Sequence, residues 1–142
     1  MTIGRLIEGR NAAIVTCDAA TSVREAVATL AERRIGAMPV LENGTVTGIF
    51  SERDVIYGLH EVGPALLDRR VGDVMTVPPV TVDPSTQVLS ALSLITRRRV
   101  RHLPVIADGQ MVGFVSIGDL VKYRIDHIEA EAEALRTYIQ TA

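Results

Sequence analysis

An internal repeat constrains the fold of this chain more than any other feature. Residues 15–54 align with residues 80–119 at a constant offset of 65 positions and without a gap, and fourteen of the forty aligned positions are identical. The identical pairs include Val15/Val80, Thr16/Thr81, Asp18/Asp83, Pro39/Pro104, Gly48/Gly113, Ser51/Ser116 and Asp54/Asp119. Self-similarity at a fixed spacing is the signature of a duplicated structural unit. We therefore expect the 142 residues to fold as two copies of one unit that share a core.

Each copy predicts the same order of elements. The short apolar runs at 14–16 and 80–82 contain a Thr and predict a first strand. Apolar residues then recur at spacings of three and four over 23–30 and 88–95, which predicts a helix in each copy. The expected helix N-caps are Thr21 or Ser22, and Ser85 or Thr86.

A hairpin and a second helix complete each copy. Asn43-Gly44 and Asp108-Gly109 lie between apolar runs, and such dipeptides favour hairpin turns that need positive φ. The order β-α-β-β-α, written twice, predicts an α/β (α+β) fold with the two repeats paired about a pseudo-twofold axis. We place the first repeat at 5–62, a linker at 63–70, the second repeat at 71–126 and a C-terminal helical extension at 127–142, with a short helix at Val71–Met75.

A Ser and an Asp recur three residues apart where the last strand of each copy gives way to a helix. The two segments read GIFSERDV and GFVSIGDL. This spacing is close to a capping box, in which the Ser oxygen accepts a backbone N–H of the first turn. A helix start also offers free N–H groups to anionic oxygens, and a carboxylate can accept the paired hydroxyls of a ribose. The spacing alone leaves both interpretations open.

The chain resembles a pair of cystathionine-β-synthase (CBS) domains, known as a Bateman module. The resemblance rests on the two Ser-x-x-Asp motifs, on the strand openings AMPV and HLPV, and on stretches such as FSERDV, VGDVMT and RHLPV; it spans residues 5–126. It implies that the clefts between the repeats bind an adenosyl ligand: AMP, ADP, ATP, NAD(H) or S-adenosylmethionine.

The resemblance also implies site residues. In one cleft, Asp119 and Ser116 would hold ribose and phosphate, with Phe114 beside the base. The other repeat would complete this cleft with Thr16, Ile35 and Ala37. The symmetric cleft would use Ser51, Asp54 and Ile49, completed by Thr81, Val100 and His102, with Arg53 and Arg101 near the phosphates. Because Arg101-His102 replaces the Gly36-Ala37 of the first copy, we expect the cleft around Asp54 to suit a phosphate-rich ligand better.

Several other functions find little support in the sequence. The net charge of −2 and the pI of about 5.9 give no overall field for nucleic acid, and two Phe and three Tyr make no stacking platform around Arg97–Arg99. The three histidines lack metal-ligand spacing, so no metal site is expected. No phosphate-binding glycine motif or nucleophile elbow occurs, so we expect no catalysis.

The ends of the chain suggest where it works and how it assembles. The N-terminus has no apolar signal region and no run long enough to cross a membrane, which favours a soluble cytoplasmic protein. The segment from Asp119 onwards contains no Gly or Pro and predicts a helix of about twenty residues. Apolar residues at alternating spacings of four and three, from Val121 to Ile139, form a stripe that predicts a homodimer contact, although the stripe can also pack on its own module.

The sequence therefore predicts a non-catalytic regulatory module that senses an adenine nucleotide and passes the signal to an effector protein. The alternative is a structural or dimerisation module that has lost ligand response. A nucleotide-dependent enzyme is a third, weaker possibility.

Overall fold

The computed structural model describes residues 1–10 and 13–141. Its elements confirm the repeated order of one helix, a hairpin and a second helix. They are α1 (Ile3–Ile7), α2 (Val23–Arg33), β1 (Ala37–Glu42), β2 (Thr45–Ser51), α3 (Glu52–Val62), a 3-10 helix (Gly63–Asp68), α4 (Val71–Val74), α5 (Val88–Arg98), β3 (His102–Ala107), β4 (Gln110–Ser116) and α6 (Ile117–Thr141).

The two hairpins are built alike. Strands β1 and β2 pair antiparallel, as do β3 and β4, and each pair has one register shift at the matching point, Val40/Leu41 and Val105/Ile106. Asn43-Gly44 has φ of 51° and 80°, and Asp108-Gly109 has φ of 52° and 75°. The turn prediction from these dipeptides is confirmed.

The predicted first strands are wrong in extent. Only single parallel bridges form, from Cys17 to Val40 and from Val82 to Val105. The extended segment ends at once, because Asp18 Oδ1 accepts the backbone N–H groups of Ala20 (2.8 Å) and Thr21 (3.0 Å) and turns the chain.

One of the two predicted helix caps is confirmed. Ser22 Oγ accepts the N–H of Glu25 at 3.1 Å at the start of α2. In the second repeat α5 begins after Gln87, which makes no side-chain cap bond. Thr86 and Ser85 are not caps because they lie one and two residues before the cap position, where Gln87 replaces the Ser22 of the first repeat.

The two short helices cross over between the repeats. Ile3 of α1 is fully buried in the core of the second repeat, whereas Val71 of α4 is fully buried in the core of the first. The backbone bonds match: the Ile3 N–H donates to the Thr86 carbonyl and the Val71 N–H to the Thr21 carbonyl, both at 2.8 Å. Each repeat is thus completed by the helix that precedes the other repeat in sequence.

The helices that follow the hairpins leave apolar surface exposed. Helix α3 has no fully buried residue, and Ile56 on it is 62% exposed. Helix α6 is 25 residues long, somewhat longer than predicted, and Leu120 is its one buried residue among those described. Leu135, in the stripe predicted from the sequence, is 60% exposed in the single chain.

Candidate functional site

A cavity of about 510 Å³ opens between the two repeats. This volume lies in the range of small-molecule and cofactor sites. One wall comes from residues 35–37 of the first repeat, at the entry to β1, and the facing wall comes from β4 and the start of α6. The lining residues are Ile7, Arg10, Ala13, Ile14, Val15, Ile35, Gly36, Ala37, His102, Val112, Gly113, Phe114, Ser116 and Asp119.

Ser116 and Asp119 lie at the polar end of this cavity. The Asp119 N–H donates to Ser116 Oγ at 3.1 Å, and the Ser116 N–H donates to Asp119 Oδ2 at 2.9 Å. This is the reciprocal capping box that the spacing predicts. The hydrogen bond from the Ser116 N–H uses Oδ2, so Oδ1 takes no part in the capping box.

His102 and Phe114 form a stacked pair on the apolar side. Their ring centroids are 5.5 Å apart and the ring planes differ by 15°. Burial lowers the pKa of His102 below its ordinary value of 6.5, although the carboxylates of Asp119 and Glu52 oppose this shift. A neutral imidazole beside a phenyl ring is a flat surface suited to a heteroaromatic base.

Arg10 reaches the same cavity from the N-terminal segment. Its Nη2 lies 3.4 Å from Asp119 Oδ1 and its Nη1 lies 3.5 Å from Oδ2. The chain arrives there through a turn: Gly9 has φ of 78°, and the Arg10 N–H donates to the Ile7 carbonyl at 3.2 Å.

The matching position around Asp54 is filled by the protein's own groups. Asp54 Oδ2 accepts the Ser51 N–H at 2.9 Å and the Ser51 hydroxyl at 3.1 Å, and Oδ1 accepts the Thr76 hydroxyl at 2.9 Å. Thr76 is held in place by two backbone bonds with Ile49, of 2.9 and 3.1 Å. Burial raises the pKa of Asp54 even though these hydrogen bonds and Arg53 lower it.

A family model for the CBS domain matches residues 11–61 and 71–126. The chain belongs to the CBS-domain family.

Similar proteins agree with this assignment. The mitochondrial CBS-domain protein CBSX3 of Arabidopsis thaliana is 37% identical over 129 residues, which cover 87% of this chain and 63% of that protein. A solved structure of a protein with CBS domains from Burkholderia ambifaria MC40-6 has a TM-score of 0.82 at 32% identity, and covers 89% of this chain and 95% of its own. A structure of CBSX2 in complex with AMP has a TM-score of 0.72 at 29% identity, over 88% of this chain and 96% of its own. The chain therefore spans less than two thirds of CBSX3, but nearly all of the two solved structures described here.

The CBS repeats bring most residues predicted for one cleft together. Ile35 and Ala37 of the first repeat face Phe114, Ser116 and Asp119 of the second across the cavity. Thr16 is exposed and is not among the lining residues described, while its neighbours Ile14 and Val15 line the wall.

His102 lies where the resemblance did not put it. It was predicted to complete the cleft around Asp54, but its ring stacks on Phe114 and lines the cavity with Asp119. His102 is the β3 partner of Ser116 on β4, and its ring stacks on Phe114 of the same hairpin.

The other residues predicted around Asp54 do not converge on an open site. Arg53 Nη1 donates to the Arg99 carbonyl at 2.9 Å, and this bond joins the two repeats. Val100 packs against the core of the second repeat, Thr81 lines a separate shallow hollow beside α5, and Arg101 is exposed. The expectation that this cleft suits a phosphate-rich ligand therefore lacks the arrangement of groups it requires.

Sequence reasoning missed Ile7 and Arg10, which precede the first aligned repeat. A signal was present, because VGDVM at 71–75 matches IGRLI at 3–7, but at an offset of 68 rather than 65. Contacts confirm the match: a Cβ on Gly113 would lie 3.0 Å from Ile7 Cδ1, and one on Gly48 would lie 2.7 Å from Met75 Sδ.

Within residues 1–10 and 13–141, no cluster of three or more His, Cys, Asp or Glu side chains could bind a metal ion. None of the helices in this part of the chain combines the length and apolar character that a membrane span requires.

Proposed function

We propose that this chain is a regulatory module that binds one adenosine-containing ligand, such as AMP, ATP or NAD(H), in the cavity formed with Phe114, Ser116 and Asp119. The observation that carries the proposal is the chemistry of this single cavity. It combines a stacked His102–Phe114 surface for a base, an Asp119 oxygen for ribose hydroxyls and a cation at Arg10. The AMP complex of CBSX2, a relative of the same fold, supports the ligand class.

The regulatory part of the proposal follows from the location of the cavity between repeats. A ligand that contacts residues 35–37 on one repeat and 114–119 on the other favours one relative arrangement of the two. Such a ligand shifts an equilibrium only by its difference in affinity for the two arrangements. We infer a sensing role rather than catalysis, and a turnover assay with ATP and NAD tests that part directly.

Calorimetric titration with AMP, ADP, ATP, NAD, NADH and S-adenosylmethionine tests the binding. We expect at least one to bind at one molecule per chain. At a hundred times its Kd, that ligand should raise the free energy of unfolding by about 2.7 kcal/mol. Failure of all six to bind or stabilise the protein would contradict the proposal.

The apolar faces of α3 and α6 favour a second candidate, a module that pairs with a copy of itself. Exposed side chains of this size are each worth about 1.5–3 kcal/mol when buried. They include Ile56, Tyr57, Val121, Ile125, Ile128, Leu135 and Ile139. We expect a homodimer in sedimentation experiments, which Leu135→Glu with Ile139→Glu weakens and the polar-side control Glu131→Gln does not. A monomeric wild-type chain would remove this candidate.

A further inference from the structure

Arg10 and Asp119 form a pair that a ligand in the cavity must disturb. Both side chains line the cavity, and they are 41% and 36% exposed. Their closest distance of 3.4 Å is long for a charge-assisted hydrogen bond, which usually measures 2.7–2.9 Å. Exposed pairs of this kind contribute little to stability. The pair can therefore be exchanged at low cost.

The oxygen that Arg10 approaches is the one that a ribose needs. Asp119 Oδ2 already accepts the Ser116 N–H, so Oδ1 is the oxygen that can accept hydroxyl groups from the cavity. Arg10 Nη2 lies against this Oδ1. A sugar hydroxyl that bonds there competes with the guanidinium for the same oxygen.

Arg10 is also the only Lys or Arg among the cavity-lining residues that the structure describes. Burial holds the pKa of His102 down, so this ring brings no positive charge at neutral pH. A ligand phosphate would otherwise enter a cavity whose other charged group is the Asp119 carboxylate. A displaced guanidinium offers a planar fork of N–H donors that fits a phosphate in two bonds.

We propose that Arg10 exchanges Asp119 for the phosphate of the bound ligand, and so makes the cavity select a nucleotide over the corresponding nucleoside. This inference rests on the proposed function and adds to it the specificity of the site. A nucleoside displaces Arg10 and gives it no new partner, whereas a nucleotide displaces it and supplies one. Removing Arg10 should therefore weaken the binding of the nucleotide, while the nucleoside binds equally well or more tightly.

Titration calorimetry with adenosine and AMP tests the exchange on the full chain. For Arg10→Gln we expect AMP to bind at least tenfold more weakly, while adenosine binds equally well or up to about fivefold more tightly. Arg10→Lys keeps the positive charge but loses the planar pair of N–H donors, so its affinity for AMP should lie between those of wild type and Arg10→Gln. The matched control is Arg24→Gln, which removes an exposed Arg–Asp pair of 3.3 Å whose residues are not among those described as lining the cavity, and which should change neither affinity.

The results can distinguish the role of Arg10 from the proposed function. If Arg10→Gln weakens the binding of AMP and adenosine equally, or leaves the AMP affinity unchanged, the role of Arg10 is wrong but the binding site is still supported. Wild-type protein that binds neither adenosine nor AMP overturns the exchange, and the proposed function falls with it only if ADP, ATP, NAD, NADH and S-adenosylmethionine also fail to bind.

Discussion

The two clefts of this chain share their motif and differ in what lies against it. Around Asp54, the strand-like segment at Thr76 pairs with Ile49 and donates a hydroxyl to the carboxylate. Around Asp119, the corresponding residue is Glu8, a carboxylate that has no hydroxyl to donate. The chain turns there at Gly9 and brings in Arg10 instead.

The motif alone does not decide whether a cleft is open to a ligand. Both Ser-x-x-Asp pairs form capping boxes with backbone bonds of 2.9 Å. The segment that follows each short helix makes the difference between the clefts. After α4, Thr76 forms backbone bonds with Ile49 of β2, whereas after α1 the chain turns at Gly9. No matching pair of backbone bonds joins Glu8 to Phe114 in residues 1–10 and 13–141. A duplicated motif can thus be kept while the carboxylate oxygens of one copy bond to the protein's own groups.

Neutralising the Asp of each motif should give the largest difference in nucleotide affinity between the two clefts. Asp119→Asn should weaken nucleotide binding by about 1.5–3 kcal/mol, a tenfold to hundredfold rise in Kd, because a charged acceptor is lost. Asp54→Asn should leave Kd unchanged. Each variant is the other's control, since both alter a helix cap. Equal losses in calorimetry would mean that both clefts bind.

Adding a methyl group to the matching glycines compares how tightly each cleft is covered. Gly48→Ala should lower the free energy of unfolding by about 1–3 kcal/mol. Its Cβ would lie 2.7 Å from Met75 Sδ and 3.0 Å from the Thr76 carbonyl oxygen, which the backbone holds. Gly113→Ala meets the flexible end of Ile7 at 3.0 Å and should cost less. Urea denaturation of both variants decides between them, and a larger cost at Gly113 would reverse the comparison.

The Thr76 hydroxyl tests what fills the closed cleft. Thr76→Val removes the donor to Asp54 and should cost about 0.5–1.5 kcal/mol of unfolding free energy, while Thr76→Ser keeps the hydroxyl and should cost less. We expect calorimetry still to give one ligand per chain, because the backbone bonds to Ile49 remain. A second ligand bound by Thr76→Val would show that this single hydroxyl keeps the cleft closed.

The smallest expected effect is a pH dependence confined to the open cleft. The folded pKa of His102 is lowered, so below pH 6.5 the unfolded chain takes up a proton that the folded chain refuses. The free energy of unfolding should therefore fall as pH drops through 6.5, down to the folded pKa. His102→Asn should flatten this slope in thermal melts, because it removes the titrating imidazole. The first repeat has Ala37 at the equivalent position, so its cleft has no matching group. An unchanged slope would assign the dependence to other groups.

Local signals in the sequence predicted the helices and hairpins well. Periodicity located α2 and α5, and Asn43-Gly44 and Asp108-Gly109 fixed both turns, because these features depend on neighbouring residues. The first strands failed because Asp18 and its counterpart turn the chain after a single bridge. The cap predicted for α5 failed because Gln87 occupies the position that Ser22 holds in the first repeat.

The site was harder to predict, because its walls come from distant segments. The motif located Ser116 and Asp119, and the resemblance added Ile35, Ala37 and Phe114 to the same group. His102 was assigned to the wrong cleft, since symmetry says which residues correspond and not which way a ring turns. Arg10 was missed because the short helices repeat at an offset of 68 rather than 65. Each of them also packs on the opposite repeat, and this packing is visible only in the three-dimensional structure.

The crossed short helices also set the order in which the chain can complete its cores during synthesis. The core of the first repeat, from Val23 to Val71, is finished once the ribosome has passed α4. Ile3 precedes all the other buried members of its core cluster, which run from Val82 to Leu120. These core residues lie 79 (82 − 3) to 117 (120 − 3) positions after Ile3 in the sequence. Contacts of such separation form slowly. We therefore expect the segment that carries Ile3 and Arg10 to dock late in folding.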